Sequence, residues 1–294
     1  MSQATKSWKG TTFGTTWMHE KLIGMLRHAD VRVFYAFTFV FVVPFCLLFG
    51  KSCRIIYRYL RQRQGQSRFK AMVQTFYNHW LFSQVVIDKF AMYAGHRFEV
   101  EIEGYEFYKE LEARPEAFVQ LSSHIGNYEI AGYTLRATHK RFNALVFGGE
   151  KSTVMQERNR LLERDNIHLI PVSADMSHLF EVNAALANGE CVSMPADRLL
   201  GSPKNVEVNF LGAQAQLPLG PFRVATMRGF DVLAVNVMKT ATQRYKIYVT
   251  PLDYDKSALP KERVSQLAAA YISQLDRMLR MYPTQWYNFF DFWK

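Results

Sequence analysis

The chain has 294 residues, of which 49% are hydrophobic and 15% aromatic, so the composition excludes intrinsic disorder and permits one large domain or two small ones. Its formal net charge of +10 fits nucleic acid, an anionic membrane or an acidic protein as partner. The three cysteines have no metal-site spacing and form no even-numbered disulfide framework, so we expect a reducing compartment and neither a metal nor a cofactor.

The positive charge is concentrated in one part of the chain. No Asp or Glu occurs between Val31 and Ile87, and the residues outside this window sum to only +2. The cations of the window are Arg32, Lys51, Arg54, Arg58, Arg61, Arg63, Arg68 and Lys70. Because this basic block adjoins an apolar segment, we expect an anionic membrane surface as its partner and no nucleic acid.

The apolar segment is Val33–Gly50, which has 18 residues and no charge. As a helix it would measure about 27 Å, close to the ~30 Å hydrocarbon core of a bilayer. A membrane span is the first interpretation, with the basic flank placing the following chain in the cytoplasm. The alternative is an interfacial helix or hairpin that never crosses. A cleaved signal peptide is disfavoured because about thirty residues precede the segment and no small-residue cleavage site follows it.

The rest of the chain alternates between strand and helix patterns. Helices are predicted at 68–94, 105–113, 128–138, 152–164, 176–188, 220–229 and 261–282. Strands are predicted at 97–102, 117–121, 142–147, 167–172, 190–195, 206–211, 232–238 and 246–251. This alternation predicts an α/β fold with a single mixed or largely parallel sheet flanked by helices. We therefore divide the chain into a tail at 1–32, a membrane anchor helix at 33–50 and one domain at 51–294.

The strongest local motif is HIGNYE at residues 124–129, which follows a buried-looking strand and opens a helix. Ligands of open α/β sheets bind at the carboxyl ends of strands, where this segment falls. A neutral His124 there can accept a proton, and Glu129 can orient the ring and stabilise the imidazolium. Residues five apart on one helix do not share a face, so the pairing requires His124 outside the helix and a permissive backbone at Gly126.

HIGNYE resembles the H-x4-D/E motif of glycerolipid acyltransferases, and especially its HFGNWE-like form in the late lipid A acyltransferases of Gram-negative bacteria. Three further segments resemble that family in the same order: QERNR at 156–160, MPADR at 194–198 and VNFLGAQAQLPLGPFRVA at 208–225. The resemblance covers nearly the whole chain and implies a membrane-bound acyltransferase in the bacterial inner membrane, with its domain facing the cytoplasm. Acyl carrier protein is the implied donor, and a lipid A precursor is the implied acceptor.

The resemblance also assigns residues. His124 is the implied general base and Glu129 its partner. The implied substrate-binding residues are Asn127, Arg158, Arg160, Asp197, Arg198, Gly212 and Gly220. Structural alternatives stay open for several of them. The two arginines of QERNR can lie on a solvated helix face, Asp197 and Arg198 can pair with each other, and the segment 210–220 can be a turn.

The C-terminus departs from the family. Its members end in a P-E-Q-W-x-W-x-H-R-R-W-like signature, whereas residues 283–293 read PTQWYNFFDFW. If the missing basic residues hold a phosphorylated saccharide lipid, an aminolipid or an aryl-polyene-type lipid is the alternative acceptor. Acyl-CoA is the alternative donor. A membrane-docked binding protein without chemistry is the alternative from another functional class.

Overall fold

A computed structural model describes residues 14–293 except 136–137, 150–155, 157, 160–165, 174 and 200–203. The described part contains a seven-stranded sheet in the order β1-β9-β8-β2-β5-β3-β4, in which every neighbouring pair is parallel except β8 and β9. The strands of this sheet are β1 Glu99–Glu103, β2 Phe118–Ser122, β3 Phe142–Phe147, β4 Ile167–Val172, β5 Cys191–Pro195, β8 Asp231–Ala241 and β9 Arg244–Pro251. This confirms the predicted α/β fold with one mostly parallel sheet.

The sequence did not predict the strand β7, Ala213–Pro218, which pairs with β6, Asn205–Phe210, in a separate antiparallel hairpin. Its residues AQAQLP are mostly small or polar, so they lack the β-branched and aromatic side chains on which strand prediction relies. The turn between the two strands makes the hairpin, because Leu211 and Gly212 both have positive φ angles, 49° and 76°.

Helices cover the sheet and extend toward the N-terminus. They are α1 Thr16–Leu26, α2 Val31–Phe37, α3 Val43–Phe49, α4 Ser52–Gln62, α5 Arg68–Tyr93, α6 Tyr105–Ala113, α7 Glu129–Thr134, α8 His178–Ala187, α9 Leu219–Met227 and α10 Pro260–Met281. The predicted helices at 68–94, 105–113, 220–229 and 261–282 are confirmed to within about one or two residues at each end. Most of the helix predicted at 152–164 lies outside the described residues.

The apolar segment is helical, as predicted. A π-helical turn, Thr38–Val42, joins α2 to α3, so that Val31–Phe49 forms one stretch of 19 residues with a mean hydropathy of 2.2, termed the apolar helix below. By length and composition it is a candidate membrane span. The wider turn lies just before Pro44, whose missing N–H and bulky ring disturb the regular bonding of the preceding turn.

The helix α4 is amphipathic, as its sequence pattern indicates. Ile56, Tyr59 and Leu60 are buried, whereas Arg54 and Arg58 are exposed on the opposite face. Arg61 is half-buried and donates to the Gln66 carbonyl. The exposed basic face is therefore formed mainly by the first two turns of α4.

The long helix α5 connects the N-terminal helices to the sheet. Its buried residues Ile87 and Phe90 pack with Leu26 and Val31 in one hydrophobic cluster. Deeper in the protein, Asp88 pairs with Lys239 of β8 at 2.5 Å, and both side chains are almost completely buried. Residues 14–50 therefore pack against the domain predicted at 51–294.

Candidate active site

The site is built at the carboxyl ends of two neighbouring parallel strands. Ser122 ends β2 and Pro195 ends β5, and the two residues are partners in the sheet register. His124 and Asp197 each lie two residues beyond their strand, so the sheet brings them together. The Asp197 carboxylate accepts from the His124 ring at Nδ1 (2.8 Å) and from the His124 backbone N–H (2.9 Å). These two residues are termed the His–Asp pair.

The loop after β2 is held by backbone bonds on both sides. Gly126 has a φ of +65°, and a Cβ there would lie 1.8 Å from the Val237 carbonyl of β8, so no other residue fits. Its N–H donates to the Gln285 carbonyl at 2.8 Å, and the next N–H, of Asn127, donates to Val237 at 2.8 Å. The predicted need for a permissive backbone at Gly126 thus has a physical cause, the close approach of β8.

The predicted contact between His124 and Glu129 is wrong in this structure. Glu129 begins α7, and its carboxylate is bound by Arg158 at 2.6 Å and Lys89 of α5 at 3.1 Å. Tyr93 donates a longer hydrogen bond to the same carboxylate, at 3.4 Å. Helix α7 directs Glu129 toward α5, whereas the register of β2 and β5 places Asp197 on the histidine ring.

The group of Glu129, Arg158 and Lys89, termed the cation cluster, is nearly buried. Their side chains are 11%, 8% and 12% exposed. Burial alone would raise the pKa of Glu129, but Arg158 and Lys89 outweigh it and hold that pKa at about 2. In turn burial opposes the charge on Arg158, and the Glu129 carboxylate raises its pKa above the ordinary value. The Glu129 carboxylate is thus shared by two cations.

The electrostatics of the His–Asp pair define a tautomer. Burial would raise the pKa of Asp197, yet the contacts with His124 outweigh it and lower the pKa below its ordinary value. An ionised carboxylate only accepts hydrogen bonds, so Nδ1 of His124 donates to it, and in the neutral form of the ring Nε2 has the lone pair. Among the described residues Nε2 has no hydrogen-bond partner, and the side chain is 19% exposed. The arrangement matches that of a general base.

The surroundings of His124 bring two arginines near it. The exposed Tyr128 packs edge-on against the His124 ring, with the ring centroids 5.6 Å apart. The Tyr128 hydroxyl is close enough to Arg158 and Arg198 to influence the pKa of both guanidinium groups. Arg198 donates to the Tyr287 carbonyl at 2.9 Å and lies over the ring of Phe290. The two arginines thus come from separate parts of the chain.

Other residues predicted to bind substrate have structural contacts. Asn127 is 2% exposed and donates to the hydroxyl of Tyr245 at 3.2 Å, so it ties the loop to β9. Gly212 forms the β6–β7 turn, which is the structural alternative raised for its segment. Gly220 lies in the first turn of α9, where a Cβ would meet nothing within 4 Å. Arg160 lies outside the described residues.

The sequence did not reveal three contacts of the site. It predicted Asp197 at a strand end without pairing it with His124, because that pairing depends on the register between β2 and β5. It did not single out Lys89, whose pairing depends on how α5 packs. The C-terminal segment also borders the site, because Tyr287 donates to the His124 carbonyl at 3.4 Å and Trp286 bridges Ile125 in antiparallel fashion. No local sequence pattern indicates the contacts of Tyr287 and Trp286.

The described residues contain no group of three or more His, Cys, Asp or Glu side chains that could hold a metal ion.

Comparison with known proteins identifies a family. The family described as bacterial lipid A biosynthesis acyltransferase matches residues 70–294. Among solved structures, the 1-acyl-sn-glycerophosphate (LPA) acyltransferase PlsC from Thermotoga maritima is similar, with 13% sequence identity and a TM-score of 0.39. The alignment covers 93% of this chain and all of that one, but a similarity this low supports no assignment of function. No curated protein matches the chain.

Proposed function

Because the chain belongs to the bacterial lipid A biosynthesis acyltransferase family, we propose that this acyltransferase moves a fatty acyl chain from acyl carrier protein to a lipid A precursor. The observation that carries the proposal is the His–Asp pair, with Nδ1 of His124 on the Asp197 carboxylate and Nε2 without a partner among the described residues. Such a pair serves a reaction in which a hydroxyl must lose its proton as it attacks a carbonyl.

The proposed reaction has two proton transfers. Nε2 of His124 takes the proton of the acceptor hydroxyl while that oxygen attacks the thioester carbonyl. The tetrahedral intermediate then expels the carrier thiolate, which takes the proton back from the imidazolium. Asp197 holds the ring in the required tautomer and stabilises its positive charge, so it acts as a positioning residue.

The positive groups beside the base support binding of an anionic substrate. The cation cluster brings two cations to one carboxylate, and Arg198 directly follows Asp197 in the chain. A guanidinium suits phosphate oxygens or a developing oxyanion because its N–H groups form a planar fork. Arg158 already bonds Glu129, so we propose that it acts on the substrate through its positive charge.

The donor and acceptor are distinguishable by direct assay. Purified protein in detergent is given labelled acyl chains on acyl carrier protein or on coenzyme A, together with lipid A precursor. Transfer from acyl carrier protein alone supports that donor. The net positive charge of this chain suits the acidic carrier. Transfer from coenzyme A at an equal rate contradicts it.

The alternative acceptor, an aminolipid or an aryl-polyene-type lipid, is suggested by the C-terminal sequence, which departs from the family signature. A strain lacking a late lipid A acyltransferase, complemented with this chain, regains its normal lipid A mass if lipid A precursor is the acceptor. Failure to restore that mass, together with loss of one acyl group from another lipid in a knockout, favours the aminolipid or aryl-polyene-type acceptor. Lipid mass spectrometry reads out both cases.

The proposed location is the bacterial inner membrane, with the site facing the cytoplasm, where acyl carrier protein occurs. The apolar helix and the exposed basic face of α4 support membrane association. Extraction that requires detergent and vesicle binding that weakens in high salt are the expected observations.

A further inference from the structure

The apolar helix is long enough to cross a bilayer, yet it is bound to α5 over much of its length. Trp80 of α5 donates its ring N–H to the Tyr35 carbonyl at 3.0 Å, and Ser83 donates to the Thr38 hydroxyl at 3.0 Å. The rings of Trp80 and Phe76 pack edge-on against Phe39, with centroids 5.1 and 5.0 Å apart. These contacts join the helix to the folded domain.

Both ends of the apolar helix contact the same short part of α5. Near its start, the hydroxyl of Tyr35 donates to the carboxylate of Asp88. Just beyond its end, the hydroxyl of Ser52 lies 3.0 Å from Nε2 of His79. Asp88 and His79 are nine residues apart, about 14 Å along a helix, which is half the ~30 Å thickness of the hydrocarbon core.

The chain on each side of the apolar helix belongs to one folded body. Before it, the ring of His19 in α1 packs against Phe90 of α5, and the Leu26 carbonyl lies within hydrogen-bond distance of the His96 ring, at 2.5 Å. After it, Tyr59 of α4 is buried in the main core and donates to the Pro283 carbonyl at 3.1 Å. A membrane span would place the segments before and after the helix on opposite sides of the bilayer. Two segments that pack on the same domain cannot be separated in this way.

The outward face of the apolar helix continues onto α5. Only 17% of the most apolar window of the helix is buried, and large apolar side chains on both helices are exposed. Those of the apolar helix include Phe37, Val40, Phe41, Phe45, Leu48 and Phe49, and those of α5 are Phe69, Met72, Val73 and Tyr77. Exposed cations adjoin this surface in the chain: Arg54 and Arg58 lie between its two parts, and Arg68 and Lys70 lie in the first turn of α5.

We infer that the apolar helix enters one leaflet and does not cross the membrane, with the N-terminal half of α5 inserted beside it and both chain flanks on the same side. The occupant of the exposed face is the acyl-chain layer of that leaflet, and the cations meet its anionic headgroups. This inference rests on the proposed membrane association, but not on the proposed donor, acceptor or chemistry.

The test compares the two flanks of the apolar helix. Single cysteines replace the exposed Lys21 of α1 or the exposed Lys261 of α10 in a C46S/C53S background, where the remaining Cys191 is fully buried. Spheroplasts are treated with a membrane-impermeant maleimide before and after permeabilisation. We expect K21C and K261C to behave alike in both conditions. Labelling of one before and the other only after permeabilisation overturns the inference.

A depth measurement tests the inserted face. Fluorophores on F41C, M72C or, as an exposed apolar control on α10, M281C are reconstituted in phosphatidylglycerol-containing vesicles with nitroxide lipids labelled near the headgroup or near the chain end. We expect the first two to be quenched more by the headgroup-proximal label and M281C by neither. Stronger quenching of F41C by the chain-end label, or none of M72C, contradicts the inference. Acyl transfer by the same variants is assayed separately, so loss of the proposed reaction and loss of this topology are distinguishable.

Discussion

Two nearly buried carboxylates lie close to His124 in sequence or in space, and their surroundings differ. Asp197 has the His124 ring as its main partner, and that ring is partly open to solvent. Glu129 is enclosed by two permanent cations, and every group of its cluster is nearly buried. The first arrangement leaves a nitrogen available for proton transfer, whereas the second engages the carboxylate fully.

Because of this difference, Asp197 and Glu129 can have separate roles. The H-x4-E spacing, by contrast, predicts Glu129 as the partner of His124. We propose that Asp197 orients the base and stabilises its charged form, and that Glu129 holds Arg158 and Lys89 in place near the substrate. Both carboxylates have lowered pKa values, but for different reasons: contacts with His124 in one case, and Arg158 and Lys89 in the other. Substitution of each group tests the separation.

The largest effect is expected for His124→Ala. Loss of the general base should lower turnover by about 10²–10⁴-fold, because the acceptor hydroxyl then has no group to take its proton. Transfer of a labelled acyl chain is the measurement, and circular dichroism with membrane fractionation checks that the variant is folded and located normally. A folded variant that keeps more than about a tenth of wild-type turnover would exclude the proposed base, since even weak base catalysis contributes more.

Asp197→Asn is expected to follow closely, with a loss of about 10²-fold or more, because the ring loses its required tautomer and counter-charge. The double variant with His124→Ala should be no worse than His124→Ala alone, because the two residues act as one unit.

Glu129→Gln provides the matched comparison. If Glu129 is not the histidine partner, its substitution should lower turnover further in the His124→Ala background, unlike that of Asp197. A double variant no slower than His124→Ala alone would show that Glu129 acts together with His124 during turnover.

Glu129→Gln should mainly affect stability. It leaves Arg158 and Lys89 nearly buried without their carboxylate, which costs about 3–5 kcal/mol of unfolding free energy when a buried pair is broken. Asp231→Asn is a suitable control, because Asp231 pairs with Arg114 and Lys256 at a side-chain exposure of 41%. Exposed pairs contribute about 1 kcal/mol or less. Urea unfolding gives both values, and equal losses in the two variants would contradict the buried role of Glu129.

The smallest effect is a pH dependence of stability. The pKa of Glu129 is about 2 in the fold, against an ordinary value of 4.5. Its contribution is therefore present above about pH 4.5 and is lost as the pH falls toward 2, because the unfolded chain binds the proton first. The urea midpoint of Glu129→Gln should fall less steeply than that of the wild type across this range. Parallel curves would show that the cation cluster does not set the acid sensitivity.

The sequence by itself determined the parts that depend on local patterns. Alternating apolar strands and helices predicted the α/β fold, and β2 and β5 are confirmed because their nearly continuous apolar runs suit strands buried on both faces. The spacing of apolar residues in 68–94 predicted α5 closely, and a lack of charge predicted the apolar helix. The motif at 124–129 predicted that the candidate site lies at the loop that contains His124.

Tertiary structure alone decided which groups meet. The partner of His124 depends on the register between β2 and β5, whose residues are separated by about seventy positions, so no local spacing reveals it. Lys89 reaches Glu129 only because α5 packs beside α7, and the contacts of Tyr35 and Ser52 with α5 show that the apolar helix lies against the domain. The physical reason is common to all three: hydrophobic period and charge are properties of a segment, whereas pairing of buried polar groups is decided by which segments exclude water together.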